Sequence, residues 1–551
     1  MKKSSLLFIG IVLLLQIPLV LPLFHNGFYY SQDDFAIQRV TEYYVSFING
    51  DFPARWSSNL LSGYGYPLFT FYSPMVYILG ALLVRIGLTP TLAVKLLYFT
   101  AFLIGPIGIY VYMKNLTKKV PAFMSAVIFS FAPYRATDAY VRGNISEFAA
   151  FSLLPWIMYA NFKQRQQSTS RWAIMHGVLL GILIATHHIS AIIYGVFFVL
   201  YTMFLLTITP QGKMQYIKSL CASLGIAVSL SCFYWLPALV ESKYLRIGNL
   251  LQFNLDIFLL KLNELWHSHW GYGGITFADP MSLQVGKTLL VLSILTVILN
   301  VFIKSSEKYK IAFWTITFLL FTYMETVYSA SVWSSIPLLH LIRIPWRFHM
   351  ITTIIGSILS GYFIYFLTKW IKTTTVSTYG MFLCICSICM LTIALNTGFF
   401  KPNGYYENYT QHETTTWDDE YLPIWVKEKP TGSQKEKIHI VEGDGYIDNV
   451  EWKYNHIEFA TELENPSEIE ITHVYYPGWL ATVDNQKISI QYDNQGGLMH
   501  VNIPQGYHVV HMAFKKTPSR IFSELVSLVC ILYLLYFTVK SFLNGVLVKR
   551  S

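Results

Sequence analysis

With 551 residues, 54% of them hydrophobic and only 13% charged, the chain is too apolar for a soluble globular protein of its length and is expected to sit in a membrane. Its formal net charge of +9 comes from 40 basic and 31 acidic residues scattered among apolar runs. That is the pattern of loops between membrane segments rather than of a basic groove, so the lipid bilayer is an expected partner and nucleic acid is not.

Apolar runs of about 20 residues, the length of a membrane crossing, fall near 5–24, 69–88, 92–112, 120–134, 147–162, 173–190, 191–209, 219–240, 285–303, 311–328, 348–368, 379–398 and 520–540. These are thirteen candidate crossings. The first follows Lys2 and Lys3 as a signal peptide would, but no small-residue cleavage site comes after it, so it reads as an anchor. Basic segments place 114–119, 163–171, 304–310, 369–375 and the tail Lys549–Arg550 in the cytoplasm, and so both chain ends. The loops 25–68, 135–146, 241–284 and 329–347 and the stretch 399–519 then lie outside. Segments 69–88 and 92–112 break this alternation. Either one is re-entrant, or loop 25–68 hides a crossing, or 114–119 departs from the charge rule.

Cys221, Cys232, Cys384, Cys386, Cys389 and Cys530 all lie in apolar segments and imply no disulfide framework. The Cys384, Cys386, Cys389 spacing lacks a fourth ligand, so no metal is assigned there. The stretch 399–519 holds nine Lys or Arg against eighteen Asp or Glu, an abrupt change that marks a separate domain. Its second half alternates with period two in 456–463, 467–476, 487–492 and 498–503, with turn residues between, and predicts a small antiparallel β-sandwich. The expected organisation is a transmembrane domain over 1–398 containing the outer loop 25–68, a β-domain over 399–519, and a last helix with a short tail over 520–551. The sequons at Asn115, Asn144 and Asn408 carry no inference.

Charged side chains at bilayer depth cost about 2.5–3.5 kcal/mol each, so those at the outer ends of helices mark candidate sites. In YYSQDDFAIQRV (29–40), Asp33 stands beside Asp34, with Arg39 further on. Repulsion between adjacent carboxylates suits one to accept a proton, and the two together could hold a divalent metal. The ordinary reading is a solvated turn or a helix cap. In LLSGYGYPLFTFYSP (60–74), Tyr64, Tyr66 and Tyr72 offer flat faces to a sugar or form an interfacial belt. APYRATDAYVRGNISEFAAF (132–151) brings Arg135, Asp138, Arg142 and Glu147, either for a phosphate or with Asp138 and Arg142 as an i,i+4 pair. His187 and His188 could join such a site, bind a metal or simply pack. In LLHLIRIPWRFHM (338–350), Arg343, Trp346 and Arg347 want an anionic partner, either a lipid phosphate or an acidic residue such as Glu325 or Glu241.

An acidic pair in the loop after a first helix, followed by Gly-Tyr-Gly-Tyr-Pro-Leu-Phe-Thr-Phe-Tyr-Ser-Pro (63–74), resembles the GT-C superfamily of lipid-carrier-dependent glycosyltransferases. It is more closely similar to bacterial YfhO-type proteins and to membrane proteins described as related to pyruvoyl-tetrahydropterin synthase. YYPGWLATVDNQKISI (475–490) and VNIPQGYHVVHMAF (501–514), ahead of a last helix, resemble the extracytoplasmic β-domain of that group. The resemblance implies a polytopic α-helical membrane protein, GT-C-like, with about 12–14 transmembrane helices and a small extracytoplasmic β-sandwich domain before the last one. It implies an inverting transfer, at the outer face of the cell membrane, from a polyprenyl-phosphate sugar donor to an envelope glycan, lipid or protein acceptor. The acidic residue that serves as general base maps onto Asp33 or Asp34, and Arg142, Arg343 and Arg347 are candidates for the donor phosphate. No certain cofactor follows; a divalent metal would want more carboxylates near Asp33. A flippase of polyprenyl-linked glycan would need polar residues at mid-membrane depth on several helices, and few are seen. A non-catalytic scaffold that binds envelope glycans through the β-domain would leave Asp33 and Asp34 dispensable, with Trp452 and Trp479 as sugar platforms or core residues.

Overall fold

The computed structural model describes residues 3–208, 212–246, 255–274, 279–302, 307–371, 378–407, 409, 416, 420–432 and 436–547. Parts of the basic segments 304–310 and 369–375, the Lys549–Arg550 pair and Asn408 lie outside the described residues.

Among the described residues, six helices are long and apolar enough to cross a membrane: Ser5–Phe24, Pro90–Leu116, His188–Thr207, Pro345–Trp370, Tyr379–Phe399 and Pro518–Lys540. The pair Lys213–Leu230 and Cys232–Tyr244, bent by 67°, makes a seventh if it is one span. The structure thus supports six or seven spans by length and composition, where the apolar runs suggested thirteen. The other runs are helical but shorter or more polar, as in Lys119–Ser130, Ser170–Thr186, Lys287–Phe302 and Lys308–Met324. Within 69–88 the helix is Met75–Arg85, whose 11 residues reach only ~16 Å, about half of a ~30 Å hydrocarbon core.

The chain forms two compact units, the first of Met1–Ala36, Thr91–Ala227 and Phe253–Tyr409 and the second of Ile37–Pro90, Val228–Gln252 and Thr410–Ser551. The first is a helical body whose core interleaves aromatic rings, such as Tyr112, Phe197, Tyr201 and Trp314. A short strand β1 (Phe28–Tyr29) pairs antiparallel with β2 (Tyr405–Tyr406), tying the start of the acidic loop to a segment nearly 400 positions away.

Among the described residues the second unit contains eight antiparallel strands: β3 (Ile438–Glu442), β4 (Gly445–Lys453), β5 (His456–Leu463), β6 (Ser467–Val474), β7 (Trp479–Val483), β8 (Gln486–Ile488), β9 (Leu498–Ile503) and β10 (Gly506–Phe514). They form a five-stranded sheet in the order β4-β5-β10-β7-β8 and a three-stranded sheet in the order β3-β6-β9. Alternate residues, including Ile457, Phe459, Ile469, Ile471, Val501, Val510 and Met512, point into one shared core, as period-two alternation demands. Asp484 and Asn485, at φ of 48° and 66°, make the two-residue turn between β7 and β8, a conformation these short polar side chains tolerate. Trp479 is buried in this core and is no exposed sugar platform, while half-buried Trp452 packs edge-on to His473.

Candidate active site

Asp33 and Asp34 sit in the turn that follows β1. The backbone N–H groups of Gln32 and Asp33 donate to the carbonyls of Val141 and Arg142, at 2.9 and 2.8 Å, so the turn lies against the loop that carries the second candidate cluster. That close approach requires glycine at 143. Gly143 has φ of 74°, and a Cβ there would fall 2.0 Å from Ser31 Oγ.

The two aspartates have different surroundings. Asp34 is only 4% exposed, its carboxylate accepts from Tyr406 Oη, and its carbonyl accepts from Tyr409 Oη at 2.9 Å. Burial and the Asp34 carboxylate together push the Tyr406 hydroxyl above its ordinary range. Asp33 is partly exposed, and its Oδ2 accepts from Asn144 Nδ2 at 2.8 Å. Asn144 is also the N-cap of the helix Ile145–Gln167, where its Oδ1 accepts from the Glu147 N–H at 3.0 Å. One side chain therefore fixes both Asp33 and the start of the helix that carries Glu147.

Glu147 is fully buried. Its Oε1 accepts from Tyr134 Oη at 3.2 Å, and its Oε2 lies 3.2 Å from Arg347 Nε and 3.8 Å from Arg142 Nε. The anionic partner of Arg347 is thus Glu147, not Glu325 or Glu241: Glu325 pairs with His349, and Glu241 pairs with Arg520 in the second unit. The Arg142 guanidinium lies over the ring of Trp346, 5.2 Å from its centre. The expected i,i+4 pair of Asp138 and Arg142 is not formed as a hydrogen-bonded pair. Thr137–Arg142 is a π-helical turn, closed by Gly143 N–H to the Asp138 carbonyl at 3.0 Å, and the wider turn rotates i and i+4 out of line. Asp138 is 1% exposed, and among the described residues neither carboxylate oxygen has a hydrogen-bond partner. Burial, then the Glu147 charge, push its carboxyl well above the usual carboxylate range.

The remaining sequence candidates divide by place. Arg135 is caged by Phe102, Phe129 and Phe148 and donates to the Phe102 carbonyl, which makes it a packing residue. His187 caps the helix His188–Thr207, accepting from the Ser190 N–H at 3.2 Å, with the His188 ring 6.0 Å away. Arg343 is half-buried with φ of 62°. Arg39, Tyr64, Tyr66 and Tyr72 belong to the second unit. There Arg39 lies over the Tyr72 ring at 4.2 Å, Tyr66 Oη accepts from the Tyr421 N–H at 3.0 Å, and the Tyr64 carbonyl accepts from the Val474 N–H at 2.8 Å. Sequence reasoning passed over Tyr134, Tyr406 and His349, took Asn144 only as a sequon, and took Glu325 only as a possible partner for the arginines of 338–350. Only Asn144 carried a local signal: an Asn followed three positions later by Glu147 is a helix-start spacing.

Comparison with known proteins places the chain. Residues 69–397 match the family model described as 6-pyruvoyl-tetrahydropterin synthase related domain; membrane protein. An uncharacterized protein of Lactococcus lactis subsp. cremoris (strain MG1363) is 26% identical over 256 residues, which are 44% of this chain and 41% of that one. Among solved structures, the Archaeoglobus fulgidus oligosaccharyltransferase in its apo form is similar at a TM-score of 0.46 and 11% identity, over 74% of this chain and 57% of that one. The mycobacterial arabinofuranosyltransferase AftD is similar at a TM-score of 0.47 and 14% identity, over 74% of this chain and 28% of that one. These matches span less than two thirds of each of those proteins.

Proposed function

This chain belongs to the membrane-protein family described as 6-pyruvoyl-tetrahydropterin synthase related, and we propose that it is a glycosyltransferase that moves a sugar from a polyprenyl-phosphate donor to a cell-envelope acceptor. The observation that carries this reading is the network in the first unit. A partly exposed carboxylate, Asp33, is held by Asn144, which also caps the helix whose Glu147 gathers Arg142 and Arg347.

Asp33 is the better base of the pair, because a base must reach its substrate and Asp34 is buried beneath Tyr406. In the proposed step, an acceptor hydroxyl gives its proton to Asp33 while its oxygen bonds to the anomeric carbon from the face opposite the phosphate. The anomeric C–O bond to the phosphate breaks, which inverts the configuration and releases polyprenyl phosphate. Arg142, the less buried of the two cations paired to Glu147, offers the charge that stabilises the departing phosphate, with Arg347 behind it. Among the described residues, Asp33 and Asp34 form no group with a third His, Cys, Asp or Glu whose ligand atoms lie within 4.8 Å of one another. Two carboxylates are too few to hold a cation with protein ligands alone, and the proton transfer to Asp33 requires none. The donor's lipid chain stays in the bilayer, on the outer face in this reading, with both chain ends in the cytoplasm and the β-domain outside.

The test is sugar transfer by purified protein in lipid nanodiscs, supplied with a panel of radiolabelled polyprenyl-phosphate sugars and crude envelope acceptors. Asp33→Asn is expected to lower transfer by roughly 10²–10⁴-fold with donor binding retained. Asp34→Asn is expected to lower it less. Donor binding without transfer in the wild type would replace this reading by a flippase or a scaffold.

A further inference from the structure

The exposed face of the five-stranded sheet carries a second chemistry that needs no sugar transfer. Glu458 on β5 and His511 on β10 are directly opposite in the antiparallel ladder, so their side chains rise from the same face. His456 stands two positions before Glu458 on the same strand and therefore on that face too. Both imidazoles converge on one carboxylate oxygen: His511 Nδ1 lies 3.0 Å and His456 Nε2 3.5 Å from Glu458 Oε2. All three ligand atoms lie within 4.8 Å of one another, and each side chain is about one third exposed.

We infer that His456, Glu458 and His511 form a binding site for a divalent transition metal, with Zn²⁺ as the best fit. Tetrahedral zinc holds nitrogen and oxygen ligands at about 2.0–2.2 Å, which sets them ~3.4 Å apart, and the 3.0 and 3.5 Å separations bracket that value. Two imidazoles and one carboxylate suit zinc, whereas magnesium and calcium prefer oxygen ligands throughout. The backbone is already in place. Eight consecutive residue pairs, from Gly506 with Leu463 to Ala513 with His456, lock β10 to β5, so little ordering remains to be done on binding. The other charged groups of this face include Glu451 and Lys453 on β4, Glu462 on β5 and Lys487 on β8. Glu451, opposite Glu458, is drawn to Lys453 instead, which leaves the fourth zinc position to water. Bound metal would cross-link two neighbouring strands and stabilise the β-domain.

The experiment titrates Zn²⁺ into the full-length protein, purified in detergent without a polyhistidine tag, in competition with a chromophoric chelator. One zinc per chain is expected, together with a zinc-dependent rise in melting temperature. Glu458→Gln and His511→Ala should each weaken zinc binding at least ~10-fold and abolish the rise. His500→Ala, which disrupts the His–Glu cluster on the other sheet, should leave both readouts at their wild-type values. Cobalt substitution gives an independent signature, the visible absorption of a tetrahedral site, lost in His456→Gln. Wild type that binds no zinc at micromolar concentration, or a His511→Ala protein that titrates like wild type, would overturn the assignment and leave an ordinary surface ion pair.

Discussion

Each unit of this protein buries a glutamate with arginine, and the two do so differently. In the second unit both oxygens of Glu241 are taken: Arg520 donates to each at 2.8 Å, Tyr476 Oη adds 2.8 Å and Thr517 Oγ1 3.4 Å. Arg520 also donates to the Pro477 carbonyl and lies beside the rings of Tyr476 and Phe514. In the first unit Glu147 is shared between Arg347 and a longer contact to Arg142, Asp138 is buried without a hydrogen bond, and Asp33 is partly exposed. A buried carboxylate with both oxygens engaged has little left to offer a ligand, and its role is to hold elements together. A buried cluster with unused capacity stabilises little and retains chemistry to spend on a substrate.

The sharpest way to break this comparison is to remove one arginine from each network. Arg520→Ala leaves Glu241 buried with only hydroxyl partners and is expected to cost ~3–5 kcal/mol of stability. Arg347→Ala leaves Glu147 with Arg142 and Tyr134 and should cost clearly less. Thermal and denaturant unfolding of the full chain in one detergent decides. Equal losses would mean that both networks are structural. The next effect belongs to Asn144. Asn144→Ala removes a helix cap worth ~0.5–2 kcal/mol and frees Asp33, so it should also lower transfer by at least ~10-fold. Asn144→Asp, which keeps the cap but turns a negative charge toward Asp33, should recover the stability and not the activity. Loss of stability alone would confine Asn144 to the helix.

What could be read in advance follows the range of the interaction. Strands β5 and β9 fall on the predicted runs because period-two alternation is a local property, legible wherever one face is buried. The acidic pair and, one by one, Arg142, Glu147 and Arg347 also stand out, because charge in an apolar chain is conspicuous. Their partners do not. Asp34 meets Tyr406 across 372 positions and Arg347 meets Glu147 across 200, and no spacing rule reaches so far. The Asp138–Arg142 reading failed for a local reason, since i,i+4 pairing presupposes an α-helix and the chain makes a π turn there. The apolar runs suggest more spans than the helices supply because hydropathy does not show where a helix stops: Lys119–Ser130 and Lys287–Phe302 end at 12 and 16 residues.

Asp138 turns the comparison into a statement about pH. Its folded-state carboxyl holds its proton more tightly than in the unfolded chain, because of burial first and Glu147 second. Above the unfolded value of about 3.9, the unfolded state has released that proton while the folded state keeps it, so stability falls as pH rises. Asp138→Asn removes this loss. It is expected to match wild type near pH 4 and to be more stable by about 1 kcal/mol near pH 7, measured by thermal unfolding across that range. A variant less stable than wild type at pH 7 would show that the carboxylate has a partner that matters.

The smallest expected effect comes from a network between the two extremes, filled but open to water. On the three-stranded sheet His500 Nδ1 lies 2.6 Å from Glu468 and its Nε2 lies 2.9 Å from Glu470, with His439 at 3.4 Å on the other side of Glu470. Both nitrogens can donate at once only when the ring is protonated, so the hydrogen bond to Glu470 and then that to Glu468 raise the His500 pKa against the opposing effect of its partial burial. A histidine raised in this way stabilises the fold fully below its unfolded value of about 6.5 and loses that contribution as pH climbs through the folded value. His500→Gln should therefore cost about 1 kcal/mol or less at pH 5.5 and almost nothing at pH 8.5, since water screens such a pair. Melting temperatures of both proteins at the two pH values measure it. A gap that stayed constant with pH would assign His500 to packing, and this network would join that of Glu241 as a structural one.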